Sequence, residues 1–468
     1  MRPLAVGLLP ALLLACTGDA PKPDPEVEPT ALTDATLTLR GDAGDLAGSA
    51  VTAGDLNGDG AEDLVVAGLG GRVTCVTPGP LSAGEHLLHD APTCIGQAED
   101  YDFAGYALAS GVDLDGDGAD ELLIGGPAHD GGGDSAGAVW LLEGPLPPGA
   151  PSVAETDTSW VGLSVGDGLG SAVAFAGDHD GDGVEELLLG APKSDAGARD
   201  DGAVFLVSPV RPAATLTHAT LAVFVGGGGA PETPAKHAEN VTGDGVGTAV
   251  CRAGDLDGDG LGDVVIAAPG WDGGAENGGA AALFAGPIPE GTWGLADADT
   301  LLLGGTAGGY LGGALACGGD TDGDGHGELL VGADADGAGR VYLWRAGALA
   351  DATSFVGESD GDQAGYAVAF LPGAGTADGV AIGAPATDGT DIDAGMVALY
   401  GAPLASGTVA PADADARWIG EGAGDLAGTA LVGLADLDGA GTPGLLVGAP
   451  YNRDPAPIGG AAYGIPAP

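Results

Sequence analysis

Oxygen-bearing side chains recur along this chain at positions 1, 3, 5 and 9 of a nine-residue stretch with glycine at 4 and 6. The copies are Asp55-Leu-Asn57-Gly-Asp59-Gly-Ala61-Glu-Asp63, Asp113-Leu-Asp115-Gly-Asp117-Gly-Ala119-Asp-Glu121, Asp178-His-Asp180-Gly-Asp182-Gly-Val184-Glu-Glu186, Asp255-Leu-Asp257-Gly-Asp259-Gly-Leu261-Gly-Asp263 and Asp320-Thr-Asp322-Gly-Asp324-Gly-His326-Gly-Glu328. A hard cation such as Ca²⁺ seeks about six to eight oxygens. A tight loop can aim side chains 1, 3 and 5 at one centre, add the carbonyl of residue 7, and close with the carboxylate at 9. Without a cation the same carboxylates repel one another, and the glycines supply the positive φ that the turn needs. An Asp-Gly hairpin turn would account for one copy. Five copies in one register predict about five bound Ca²⁺. A helix-flanked calcium loop needs twelve residues, whereas here the downstream flanks, such as Leu122-Leu-Ile-Gly125 and Val264-Val-Ile-Ala267, read as strands.

Other chemistry is thinly represented. The seven histidines, at 86, 89, 129, 179, 218, 237 and 326, are scattered, and none has the spacing of a zinc site. His179 and His326 fall inside acidic loops, the latter offering its carbonyl. No serine sits in a nucleophile elbow. Gly243-Asp-Gly-Val-Gly247 lacks the following helix that a nucleotide fingerprint requires. These residues point away from an enzyme.

The elements that must position the loops come from a longer repeat. Each unit has a glycine-rich lead-in such as Gly105-Tyr-Ala-Leu or Gly365-Tyr-Ala-Val, then the acidic loop, then an apolar strand ending near Gly-Ala-Pro. A Gly-x-Val-x-Leu strand such as Gly202-Ala-Val-Phe-Leu206 follows, and then a variable segment with a last short strand. Units start at Asp55, Asp113, Asp178, Asp255, Asp320, Leu371 and Asp436. Seven units of four short strands, with no helical periodicity, predict an all-β, seven-bladed β-propeller. The chain stops at Gly460-Ala-Ala-Tyr463, a third strand, while Ala35-Thr-Leu-Thr-Leu39 is a lone strand before the first unit. The N-terminal strand is therefore expected to complete the last blade and remove the free edges. The sixth unit, Leu371-Pro-Gly-Ala-Gly-Thr-Ala-Asp378-Gly, has no ligand set; the seventh keeps Asp436 and Asp438 only. No ion is expected in blade six and at best a weak site in blade seven.

A formal net charge of −55 excludes general nucleic-acid and anionic-membrane binding. Five Ca²⁺ would cancel ten of those charges. Glycine is about a fifth of the chain without a three-residue period, and the hydrophobic fraction of 44% opposes wholesale disorder. Cys75 and Cys94 lie on neighbouring strands of the first unit and are expected to pair. Cys251 and Cys317 occupy nearly equivalent positions in successive units, four and three residues before the first loop aspartate. Adjacent inner strands would bring them together, or the one-residue offset would point them apart.

Residues 1–15 have the form of a secretory leader, too short to span a membrane. Leu13-Leu-Ala-Cys16 resembles a lipoprotein box, with Cys16 lipidated, and Thr17 carries no inner-membrane retention signal. Residues 16–34, rich in proline and acid, read as an extended tether, and 35–468 as the propeller. This predicts export, with the chain lipid-anchored at the outer membrane or cell surface.

The lead-in, the Asp-x-Asp-x-Asp-Gly-x-x-Asp/Glu loop and Leu-Leu-Val-Gly-Ala-Pro450 together resemble the FG-GAP repeat family, the repeat of the integrin α-subunit propeller. The resemblance spans about residues 35 to 468, with alanine, leucine or glycine at many positions where the family has phenylalanine. It implies calcium loops on one side of the ring, between the first and second strands of a blade, and ligands on the opposite face or rim. The integrin I domain and leg domains have no counterpart here. The expected function is a calcium-stabilised binding or adhesion scaffold for a protein or glycan. The alternatives are a structural envelope component and a propeller that accompanies a hydrolase.

Overall fold

The computed structural model describes residues 28–156, 158–179, 182–197, 200–209, 216–226, 243–254, 256, 262–345, 352–373, 377–389, 391–404, 406–454 and 456–468. The leader, Cys16, Asp180, Asp255, Asp257, Asp259, Leu261 and most of the long connection between the third and fourth units lie outside these residues. Seven antiparallel sheets follow one another round a ring, each with a four-stranded core. In blade two the strands run Ala107–Ala109, Leu122–Gly126, Ala138–Leu142 and Thr158–Val161 from the inside outwards. Blade five repeats this with Leu315–Gly319, Glu328–Ala333, Arg340–Trp344 and Thr353–Val356.

The second strand of every blade is buried along its whole length, because both of its faces meet another blade. Alternate residues point to opposite faces. Val264 and Ile266 therefore pack towards blade three, whereas Val265 packs towards Leu329 and Val331 of blade five. One apolar cluster fills each of the seven gaps between neighbouring blades. The molecule has no single central core, and each blade is stabilised chiefly by the two beside it.

The last blade consists of Ala430–Leu434, Gly444–Ala449 and Ala461–Pro466, with Leu37–Arg40 antiparallel to the third of these, Leu39 opposite Ala462. The N-terminal strand thus completes blade seven. Arg40 bolts it in place. Its guanidinium donates to Glu421 at 2.9 Å, to Asn452 at 3.0 Å, to Glu85 at 3.0 Å and to the Asp454 carbonyl at 2.6 Å.

Closure also takes in residues that the sequence reading assigned to the tether. Thr30–Ala31 pairs in parallel with Ala416–Ile419, the outer strand of blade six, and Leu32, fully buried, begins a short 3-10 turn, Leu32–Asp34. The same arrangement recurs where the connection before an outer strand reaches back to the previous blade. Gly84–Leu87 lies along Leu37–Arg40, Gly291–Gly294 along Thr220–Val225, and Thr408–Val409 along Thr353–Val356. Each leads into a turn of the same kind, Leu88–Asp90, Leu295–Asp297 and Pro411–Asp413. Residues 30–34 are thus the blade-seven version of a repeated connection rather than the end of a tether.

The expected Cys75–Cys94 disulfide is present, and so is the Cys251–Cys317 bridge that the sequence left open. Cys75 and Cys94 are directly opposite one another on adjacent strands, with Cα atoms 4.0 Å apart. Cys251 and Cys317 bridge blades four and five with Cα atoms 6.0 Å apart. Their one-residue offset has a physical use: residues that meet across a gap must leave opposite faces of their own sheets, which an offset of one supplies. No helix among the described residues is long and apolar enough to cross a membrane.

Candidate metal centres

Strand alternation places every connection between first and second strands at one rim of the ring, so the acidic loops share that rim. Within the described loops the carboxylates are built into the turn. Asp113 Oδ1 accepts from the Gly116 and Asp117 amides at 2.8 and 3.1 Å, and Oδ2 accepts from Gly118 at 2.9 Å. Asp55 and Asp320 hold Gly58, Asp59 and Gly60, and Gly323, Asp324 and Gly325, in the same way. The glycines at positions 4 and 6 take positive φ, 78° and 96° at Gly116 and Gly118, where a side chain would be strained. Residue 7 donates its amide to carboxylate 5 in Ala61, Ala119, Val184 and His326.

The position-9 acids behave differently. Asp63, Glu121, Glu186, Asp263 and Glu328 are all buried. Each accepts the amide of position 2, at 3.1 Å from Leu56, 2.5 Å from Leu114, 2.6 Å from His179, 2.7 Å from Leu256 and 2.5 Å from Thr321. One carboxylate oxygen thus ties the two ends of the loop together. In Glu121 the other oxygen, Oε1, is buried with no hydrogen-bond partner, a costly arrangement unless a cation meets it. Burial, followed by repulsion from Asp115, Asp113 and Asp117, pushes Glu121 up to about 7. Burial, with Asp59 and Asp55 adding repulsion, raises Asp63 to about 6. A divalent cation reverses both terms, because it replaces lost solvation and cancels the crowding.

Ligand oxygens of Asp320, Asp322, Asp324 and Glu328 lie within 4.8 Å of one another in blade five, and those of Asp113, Asp115 and Asp117 do so in blade two. In blade one the Asn57 amide instead donates to Asp63 at 3.0 Å. Asp178, Asp182 and Glu186 line the loop in blade three. The donor sets, three aspartates in blade two and three aspartates with the buried Glu328 in blade five, are all hard oxygens at loop spacing and fit a hard metal cation. Blade seven keeps the Asx turns of Asp436 and Asp438, but the Leu437 amide goes to the Thr442 carbonyl at 2.8 Å, in place of an acid at position 9.

Position 8 carries a role that the sequence reading did not assign. Asp120 of blade two accepts the Asp55 amide of blade one at 2.7 Å and donates its own amide to the Asp55 carbonyl at 2.7 Å. Asp378 of blade six treats Asp320 of blade five in the same way, at 3.0 and 2.6 Å. Glu62 of blade one reaches the Ala435 and Asp436 amides of blade seven at 3.0 and 3.3 Å. Glu185 turns the other way, to Arg252 of blade four at 2.6 Å. An acid recurring at position 8 was the available signal, but its partner belongs to another blade.

The opposite rim has a different character. Among the described residues, all the exposed large hydrophobic side chains except Leu87 and Leu303 lie on its connections: Tyr101, Phe103, Tyr106, Leu163, Val165, Tyr310, Tyr366, Ile392, Tyr451 and Ile458. Val165 and Ile392 are each 70% exposed. Buried turn acids brace these connections; Asp102, Asp167, Asp362 and Asp425 each accept the amide three residues earlier. His129 adds its Nδ1 to Asp102 at 3.2 Å, near Glu99, and stands edge-on to Trp140. Asn452 fills the same place beside Asp425 at 3.0 Å. Described histidine side chains otherwise contact carbonyls and carboxylates: Ser82 O from His86, Asp42 and Asp90 from His89, and Ala176 O from His179.

Three stretches, residues 104–142, 246–284 and 312–344, match the FG-GAP repeat family. Integrin alpha-5 of Xenopus laevis is 34% identical over 119 residues, which is 23% of this chain and 11% of that protein. Those three stretches are thus similar to the FG-GAP repeat and the chain is distantly similar to an integrin α subunit, the match spanning only about a tenth of that relative's length. Among solved structures, BBS1N in complex with ARL6DN is similar in a lead-soaked crystal, at TM-score 0.46 and 12% identity over 89% of this chain and 91% of that one. A mercury-soaked crystal of the same complex gives 0.46 and 12% over 92% and 93%.

Proposed function

We propose that the chain is an exported binding or adhesion scaffold whose acidic rim takes up about five Ca²⁺ and whose opposite rim docks a protein or glycan at the cell envelope. The observation that carries this reading is the segregation of the two rims. The nine-residue acidic loops share one rim, and nearly all exposed large apolar and aromatic side chains of the described residues lie on the other, as at an interaction surface. The bound ion supplies positive charge at the centre of each loop. Asp113, Asp115, Asp117 and Glu121, and their counterparts in blades one, three, four and five, hold it and set the turn between the inner and second strands. Cys16 carries the lipid, and the proline-rich segment ahead of Thr30 spaces the ring from the membrane. The loops serve structure, and recognition falls to the other rim.

The test is capture from envelope or extracellular extract with calcium, with chelator, and with a Tyr106→Ala/Tyr366→Ala variant that keeps the calcium-loaded melt of the parent. Calcium-dependent capture that this variant loses supports the reading. Capture that survives both chelation and the substitutions refutes it.

A further inference from the structure

The position-8 contacts bear on how the loops fill. Asp120 sits between two ligand positions of the blade-two loop, Ala119 and Glu121, yet both of its hydrogen bonds go to Asp55, the first ligand of blade one. The two loops also touch through their glycines. A Cβ on Gly58 would lie 3.5 Å from the Gly118 carbonyl and 3.6 Å from the Ala119 side chain, and one on Gly54 would lie 2.8 Å from Asp120 Oδ2. Leu56, the second residue of the blade-one loop, is fully buried in the cluster between these blades, and its carbonyl accepts the Leu146 amide of blade two at 2.8 Å. The backbone that presents Asp55 is therefore held by the backbone that presents Ala119 and Glu121.

We infer that the loops of blades one and two bind calcium as a coupled pair, with Asp120 as the coupling residue. This rests on the metal reading proposed above. Ordering one loop removes part of the conformational cost of ordering the other, which is a coupling free energy between sites and is reciprocal. Blades four and five provide the contrast within the same ring. Position 8 is Gly262 in one and Gly327 in the other, so neither can make the side-chain clasp on the loop before it. Blade five is gripped by Asp378, but that residue belongs to a loop without ligands, so the grip braces one site and couples it to none.

Calcium titration calorimetry on the whole exported chain tests this. In the parent, part of the binding should be cooperative. Asp115→Ala should remove one ion and weaken one further site about tenfold, within the usual range of coupling. Asp322→Ala of blade five should remove one ion and leave the others unchanged. Asp120→Ala should keep the number of ions but abolish the cooperativity. Asp120→Asn, whose amide oxygen still accepts from Asp55, should retain it, which separates the hydrogen bond from the lost charge and guards against misfolding. Remaining affinities unchanged in Asp115→Ala, or cooperativity unchanged in Asp120→Ala, would overturn the coupling while leaving the metal reading intact. A parent chain that takes up no calcium would overturn both.

Discussion

Blades five and six fold alike with opposite loop chemistry. Blade five places Asp320, Asp322, Asp324 and Glu328 within 4.8 Å of one another. Blade six has none of these acids, and its loop is held by Asp378, which accepts the Gly373 amide at 2.8 Å and clasps Asp320. Yet the second strands, Glu328–Ala333 and Gly379–Ala384, are equally buried and make the same ladders. Strand pairing is thus dictated by apolar contact across the gaps between blades, while the carboxylates govern the order of the turn and the charge of the rim.

Removing all ions at once should break the parallel most severely. Chelation should lower the melting temperature by about 10 °C or more, since each site at a hundredfold excess over its Kd contributes about 2.7 kcal/mol. An unchanged melt would mean that the ligand-bearing blades are as self-sufficient as blade six. Truncating the shared element is the next largest effect. Leu330→Ala in blade five and Ile382→Ala in blade six, both buried, should each cost about 2–5 kcal/mol with or without calcium. A loss confined to the loaded protein would show that the strands depend on the ions. A smaller change separates ligand from relic: Asp322→Ala should release one ion and Asp438→Ala of blade seven none, as counted by atomic absorption after dialysis.

The smallest effect lies in pH. With folded values of about 7 for Glu121 and about 6 for Asp63, both above the ordinary carboxylate range near 4, the ion-free native state binds protons before the unfolded chain does. Its stability should therefore rise as pH falls from about 8 towards about 5. The calcium-loaded protein should show the reverse, because protons compete for the ligands. Glu121→Gln should flatten part of the ion-free rise, and an unaltered profile would show that Glu121 does not titrate in this range.

Much of this was legible because it is local. The spacing of Asp113, Asp115, Asp117 and Glu121 predicts a tight acidic turn, and the structure contains that turn, with the Asp113 carboxylate accepting from the loop's own amides. The recurrence of Leu-Leu-Val-Gly-Ala predicts apolar second strands, which the structure buries along their whole length. The lone N-terminal strand predicts the closure, found at Leu37–Arg40. Residues 30–34 were misread as tether because the proline-rich stretch before them obscures a signal that was present. Leu32-Thr-Asp34 repeats the pattern of Leu88-His-Asp90 and Leu295-Ala-Asp297, five residues ahead of an outer strand each time. The offset of Cys251 and Cys317 was ambiguous until their sheets were seen to face each other.

By itself the sequence determined the number of blades, the second strands and the turn of the described acidic loops, because these follow from alternation and from contacts within about nine residues. The tertiary structure decided what passes between blades: the grip of Asp120 on Asp55, the bolt from Arg40 to Glu421 and Asn452, the bridge from Cys251 to Cys317, and the gathering of exposed aromatic and apolar side chains on the rim opposite the acidic loops. Those contacts join residues tens to hundreds of positions apart, and only closure of the ring brings their faces together.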